Sequence, residues 1–195
     1  PVNQTSAKVV GPPRIQGGDN DSFECDDFDA QTLFSKLRPD PRIPFDHGAM
    51  KSVTTRLQGG DQEIYNYVTT QGGLGMILGL ANSNMGNPVP LNDALDAIGT
   101  LSSDDNLRTL LGMHGTVRLI IEVIRAHPND IELLDKCCYI LSNLSFNNAQ
   151  NMTSIIELGG VKDIVDIIQT HDNVNFICES AVNVLVNLCH NSDKN

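Results

Sequence analysis

Two asparagines, Asn143 and Asn187, stand 44 residues apart at the same place in a pattern that the chain writes twice. Helical spacing gathers Lys136 and Tyr139 beside the first and Ser180 and Asn183 beside the second, with Asp93, Asp96 and Thr100 at the corresponding positions of a more worn copy upstream. Amides, hydroxyls, one phenol ring and one cation are equipped to hold a ligand rather than to transform it. No nucleophile stands near a base, no carboxylate pair falls in a recognisable pocket motif, and no cofactor fingerprint accompanies them. The chain therefore reads as noncatalytic, with no cofactor.

The elements that must position these side chains are helices in a repeat. Val117 to His127 returns as Val161 to His171, and Ile140 to Leu144 as Val184 to Leu188, in the same register. Upstream, Gly73 to Leu78 and Ala94 to Ser102 repeat the text at a spacing of 43. A period of this size built from helical text marks a stacked array of supersecondary units. In the middle copy a short helix around Leu107 to Leu111 leads to a second, about Thr116 to Ala126, whose Val117, Ile120, Ile121 and Ile124 fall at helical spacing. Pro128 and Asn129 break it, and a third helix follows from about Ile131 to Ser145. Glycine sits between the first two helices of each copy, as Gly72-Gly73, Gly115 and Gly159-Gly160, where φ > 0 lets the chain turn sharply. A phosphate loop at Gly73-Leu74-Gly75 is excluded, because neither G-x-G-x-x-G nor a following Gly-Lys-Ser/Thr is completed.

At 100° per residue, Leu134, Cys137, Cys138 and Leu141 point one way and Asn143 points nearly the other, flanked by Lys136 and Tyr139. Two uses are open to the asparagines. They can face a ligand, or they can sit exposed or hold a neighbouring turn by hydrogen bonds.

Composition narrows the class. Hydrophobic residues make up 40% of the chain, aromatics 5%, and tryptophan is absent, which predicts an aliphatic core of stacked helices. A formal charge of −11 argues against nucleic acid and against adhesion to anionic lipid. No run is apolar enough to insert directly into a membrane, and no signal peptide is readable. The cysteines lack zinc-binding spacing; Cys137, Cys138, Cys178 and Cys189 read as small core fillers in a reducing compartment, and Cys25 stands alone. His127 and His171 read as polar residues just past the second helices, and no metal is expected. The sequons at Asn3, Asn143 and Asn151 carry no meaning without secretion.

Residues 1 to about 24 lack a periodic apolar pattern and read as a mobile tail, with an acidic run from Asp19 to Asp29 that is either a solvated tail or a docking segment. A short helix is expected near 27 to 37, capped by Asp27, with Phe28, Leu33, Phe34 and Leu37 laid over the first repeat. Pro39, Pro41 and Pro44 force an extended link. Helical text resumes over Ala49 to Leu57, and after Gly59-Gly60 over Asp61 to Val68, where Ile64, Tyr65 and Val68 share a face.

These elements together resemble the armadillo repeat. The residues that carry the resemblance are Gly160, Val161, Ile164, Val165, Ile167, Ile168, Ala181, Leu185, Asn187 and Leu188, with the connector from Asn147 to Asn151 and from Ile155 to Gly159. The likeness runs over about residues 60 to 192 and implies an all-α fold, a right-handed α-solenoid of armadillo-type three-helix repeats. The expected organisation is an N-terminal extension over 1 to 45 and an array over 46 to 192, with repeats at about 72 to 111, 112 to 157 and 158 to 192, forming the first part of a longer array. In this family the third helices line a concave groove, and their asparagines hydrogen-bond an extended peptide. Carried onto this chain, that groove consists of Asn143, Asn187, Lys136, Tyr139, Asn183, Thr100 and Asp96.

The chain departs from two branches of the family. Importin-α-like receptors need a tryptophan four residues before the asparagine, where this sequence has Asp96, Tyr139 and Asn183. The basic groove of catenin-like members is missing too, Lys136 being the single cation among the groove positions. The resemblance implies a scaffold that binds extended segments of protein partners, of the kind that links cytoskeletal proteins such as actin to the tails of membrane proteins. Its expected setting is cytoplasmic and cytoskeleton-associated. The alternatives are a transport or signalling receptor whose acidic N-terminal segment competes for its own groove, and the helical regulatory domain of a longer enzyme.

Overall fold

A computed structural model describes residues 28–37 and 45–190. The expectations for the N-terminal tail, Cys25, the proline link and the closing residues lie outside the described residues. Regular structure among the described residues is α-helical, with no strand. The chain divides into two compact units, whose described parts are residues 28–37 with 45–101, and residues 102–190.

The first unit holds α1 (Ala30–Lys36), α2 (His47–Gln58), α3 (Gln62–Thr70), α4 (Gly73–Ser83) and α5 (Pro88–Ser102), whose last residue falls in the second unit. The cap of α1 is Asp29, whose carboxylate accepts the Thr32 N–H at 2.7 Å, which satisfies one orphan donor of the first turn; Asp27, the cap read from the sequence, lies outside the described residues. Seven residues cannot sustain a helix in water. α1 persists because Leu33, Phe34 and Leu37 are buried, it packs on α2 and α3, and Phe34 stacks on Tyr67 with ring centroids 4.6 Å apart. Arg56 fixes the same corner, donating from Nε to Asp61 (2.6 Å), from Nη1 to the Phe28 carbonyl (2.6 Å) and from Nη2 to Glu63 (3.1 Å). That guanidinium holds the Asp61 carboxyl below its usual range.

The second unit contains α6 (Asp105–Met113), α7 (Thr116–Ala126), α8 (Ile131–Ser145), α9 (Ala149–Glu157), α10 (Gly160–Thr170) and α11 (Asn175–His190). α6 lies against α9, α7 against α10 and α8 along α11, so helices at matching places in the 44-residue pattern touch. The stripe Val117, Ile120, Ile121 and Ile124 and the fillers Leu134, Cys137, Cys138 and Leu141 are all buried. Cys178 and Cys189 depart from expectation. The first is half-buried and the second exposed, because they lie on the side of α11 turned away from α8.

The glycine corner divides into two physical roles. Gly72, Gly115 and Gly159 hold φ of 86°, 79° and 78°, a left-handed conformation that disfavours a Cβ. Gly160 is not left-handed; it is required by packing, since a Cβ there would stand 2.9 Å from Ile155 Cγ2 and 3.1 Å from Ile121 Cδ1. No helix among the described residues is long and apolar enough to cross a membrane.

Candidate protein-binding face

Parallel packing of α8 and α11, bridged at Ser180–Asp135 and Asn187–Ser142, puts Asn143, Lys136 and Tyr139 on a helix beside the one that carries Asn183 and Asn187. It does not leave the asparagines exposed. Asn143 is 4% exposed and Asn187 6%, because the side opposite the apolar stripe is covered by neighbouring backbone and serines. Asn187 Nδ2 donates to the Ser142 carbonyl at 2.9 Å and to Ser142 Oγ and Ser145 Oγ at 3.3 Å. Asn143 Nδ2 makes the equivalent reach to Ser102 Oγ (3.1 Å) and, more weakly, to Ser103 Oγ (3.5 Å). The donor end of each amide is thus committed within the unit.

Around them the groove positions are half-exposed. Tyr139 shares a hydrogen bond with Ser103 at 2.8 Å, which orients its ring. Ser180 donates to Asp135 at 2.6 Å, and burial of Asp135 under that contact pushes its carboxyl above its usual range despite the hydroxyl and Lys136, which act the other way. Lys136 and Asn183 sit at the same half-exposed depth.

In the first unit, Thr100 Oγ1 donates to the Asp96 carbonyl and accepts from Gln58 of α2 at 3.4 Å. Asp93 is nearly buried and binds His47 Nδ1 at 2.7 Å. An oriented His–Asp pair is two parts of a nucleophilic triad. Among the described residues no hydroxyl or thiol binds the other ring nitrogen, so the pair ties α2 to α5. Its members lie 46 residues apart in unrelated text, and sequence reading gave no signal of it.

The sequence also understated the connector. Asn151 is 2% exposed, and its Nδ2 donates to the carbonyls of Arg108 (3.0 Å) and Leu144 (2.9 Å), while Asn148 caps α9 and donates to Thr109. The signal for these was the N-x-x-N spacing. Arg108 is buried beside them, its Nη2 2.6 Å from Asp105 without hydrogen-bond alignment, its Cζ 5.2 Å from the Phe146 ring centroid. His171 is a buried link, its Nε2 donating to the Pro128 carbonyl at 3.1 Å and so carrying the proton. Among the described residues no cluster of His, Cys, Asp and Glu is arranged to hold a metal ion.

No protein-family model matches the chain, and no solved structure matches it significantly. An alignment of 128 positions that covers 60% of the chain is 25% identical to Protein aardvark of Dictyostelium discoideum. The chain spans 17% of that protein's length.

Proposed function

We propose that the chain is a segment of an armadillo-type α-solenoid, and that it acts as a noncatalytic scaffold holding an extended protein segment across α8 and α11. The observation that supports this reading is the in-register packing of α11 on α8, with Tyr139, Lys136 and Asn183 half-exposed near Asn143 and Asn187, whose amide donors are committed within the unit. These side chains offer one aromatic platform, one cation and one amide to a backbone that passes over them. Its role in the intact protein is that of an adaptor between cytoskeletal and membrane-protein partners, and co-sedimentation with filamentous actin tests that part separately.

The groove itself is tested with peptides selected on the wild-type chain from a displayed random library. Tyr139→Ala combined with Asn183→Ala is expected to weaken the selected peptides about tenfold or more, the equivalent of about 1.4 kcal/mol, while the fold is retained. Unchanged affinity in a variant that melts like the parent would remove the binding from this face.

A further inference from the structure

Asn143-Leu144-Ser145 and Asn151-Met152-Thr153 each spell the acceptor for N-linked oligosaccharide, and the fold decides what that spelling can mean. An asparagine that carries sugar in a folded protein stands at the surface. Neither of these does: Asn143 is covered at Ser102 and Ser103, and Asn151 lies between α6 and the last turn of α8.

The atom that would take the sugar is the atom the fold uses. Asn151 Nδ2 spends both of its N–H bonds on carbonyls, Arg108 at 3.0 Å and Leu144 at 2.9 Å, and Asn143 Nδ2 donates to Ser102 Oγ at 3.1 Å. In oligosaccharyl transfer this nitrogen displaces the lipid pyrophosphate from the anomeric carbon of the donor sugar; a C–N bond forms and one N–H proton is lost. A modified Asn151 would keep one N–H for two carbonyls and leave a buried acceptor unpaired. Space is the larger obstacle. Even one added carbon finds no room beside this amide, since a Cβ on Gly112 would stand 1.8 Å from Asn151 Oδ1 and 3.2 Å from Nδ2.

Modification after folding is closed as well, because a nitrogen buried this way is out of an enzyme's reach. Transfer meets the chain while it is still extended, on entry into the glycosylating compartment. Cys137 and Cys138 of the same unit point in the same direction, for they are buried free thiols, the usual state of cysteine in a reducing compartment.

We propose that Asn143 and Asn151 are latent acceptor sites whose modification and the fold exclude each other, so that the second unit forms only in a compartment without oligosaccharyl transfer. The inference rests on burial and hydrogen bonding, and it stands whether or not the groove of α8 and α11 binds a partner.

The test sends the whole chain into the glycosylating compartment. A cleavable secretion signal is placed ahead of residue 1 in cultured animal cells, with and without tunicamycin, which blocks formation of the lipid-linked donor. Chain made in the cytosol of the same cells is the reference. Occupancy is read by peptide mapping after enzymatic deglycosylation, which converts a modified asparagine to aspartate, and folding is read by limited proteolysis. Chains modified at Asn143 or Asn151 are expected to be digested completely, and the inhibitor is expected to restore the resistant core of the cytosolic chain. Thr153→Ala removes the Asn151 acceptor at an exposed residue whose hydroxyl bonds the Ala149 carbonyl of its own helix. That variant should melt like the parent when made in the cytosol, and should raise the resistant fraction several-fold when translocated. The proposal is overturned if chains bearing sugar at Asn143 or Asn151 resist protease like unmodified ones, or if neither asparagine is modified. It is equally overturned if the inhibitor and Thr153→Ala leave the translocated chain as sensitive as before.

Discussion

Asn151 and Gly112 should be energetically inseparable. Asn151 Nδ2 satisfies the Leu144 carbonyl, one of the last four of α8, which has no partner within the helix. It also gives a second hydrogen bond to the Arg108 carbonyl, which lies inside α6 and keeps its helical partner. Asn151→Ala therefore orphans one buried carbonyl, at about 1 to 3 kcal/mol, and removes one further bond worth about 0.5 to 1.5 kcal/mol. The expected loss is about 2 to 4 kcal/mol, or a fall in Tm of roughly 4 to 16 °C for a chain of this size.

Gly112→Ala should reproduce much of that loss, because a Cβ there would lie 1.8 Å from Asn151 Oδ1 and the amide must swing away. In the Asn151→Ala background the same change meets no amide, and alanine in a helix is favoured over glycine by about 0.5 to 1 kcal/mol. The second substitution should then be neutral or slightly stabilising. The assay is urea unfolding followed by circular dichroism at 222 nm on the wild type, both single variants and the double variant, if the transitions are two-state. Additive losses, each near its single value, would refute the reasoning and place the cost of Gly112→Ala elsewhere.

Thiol reactivity should follow burial. Burial pushes the Cys137 and Cys138 thiols up, so at pH 8 a maleimide followed by peptide mapping should label Cys189 and leave both unmodified until the chain is unfolded. Asp135 should make its part of the pH dependence run against the usual direction. Its folded-state carboxyl is raised, so its contribution to stability is fully present below the unfolded value of 3.8 and is lost as pH rises through the raised folded value. Asp135→Asn should therefore gain stability relative to wild type between pH 3 and pH 7, read as urea midpoints across that range, and a constant difference would contradict the burial argument. Asp61 has the opposite sign: its depressed carboxyl contributes above 3.8 and stops contributing as pH falls through the depressed value, so Asp61→Asn should matter at pH 7 and fade in acid.

The sequence alone determined the all-helical class and the second and third helices of the middle copy, while α9 (Ala149–Glu157) occupies the stretch that read as a connector. Val117, Ile120, Ile121 and Ile124 write one helical face, Pro128 ends it, and the second and third helices of the middle copy span the expected residues. Short-range sterics and apolar periodicity are properties of neighbouring residues, so a linear reading reaches them. Caps are local too, yet the cap of α1 at Asp29 became visible only with the formed Thr32 contact.

What the tertiary structure decided is which polar side chains meet each other. A helical wheel knows its own helix and nothing of the helix laid beside it. It sent Asn143 away from the apolar stripe, and the amide meets serines instead of water, which buries it and commits its donor. Cys189 stands outside the core for the same kind of reason, since its exposure depends on what packs beyond α11. Gly160 needed coordinates as well, because its lack of a side chain serves Ile155 and Ile121 rather than a left-handed turn. The pair of His47 and Asp93 and the amide of Asn151 join residues 46 and 43 positions apart, distances over which the chain's own chemistry carries no local signal and only packing brings the groups together.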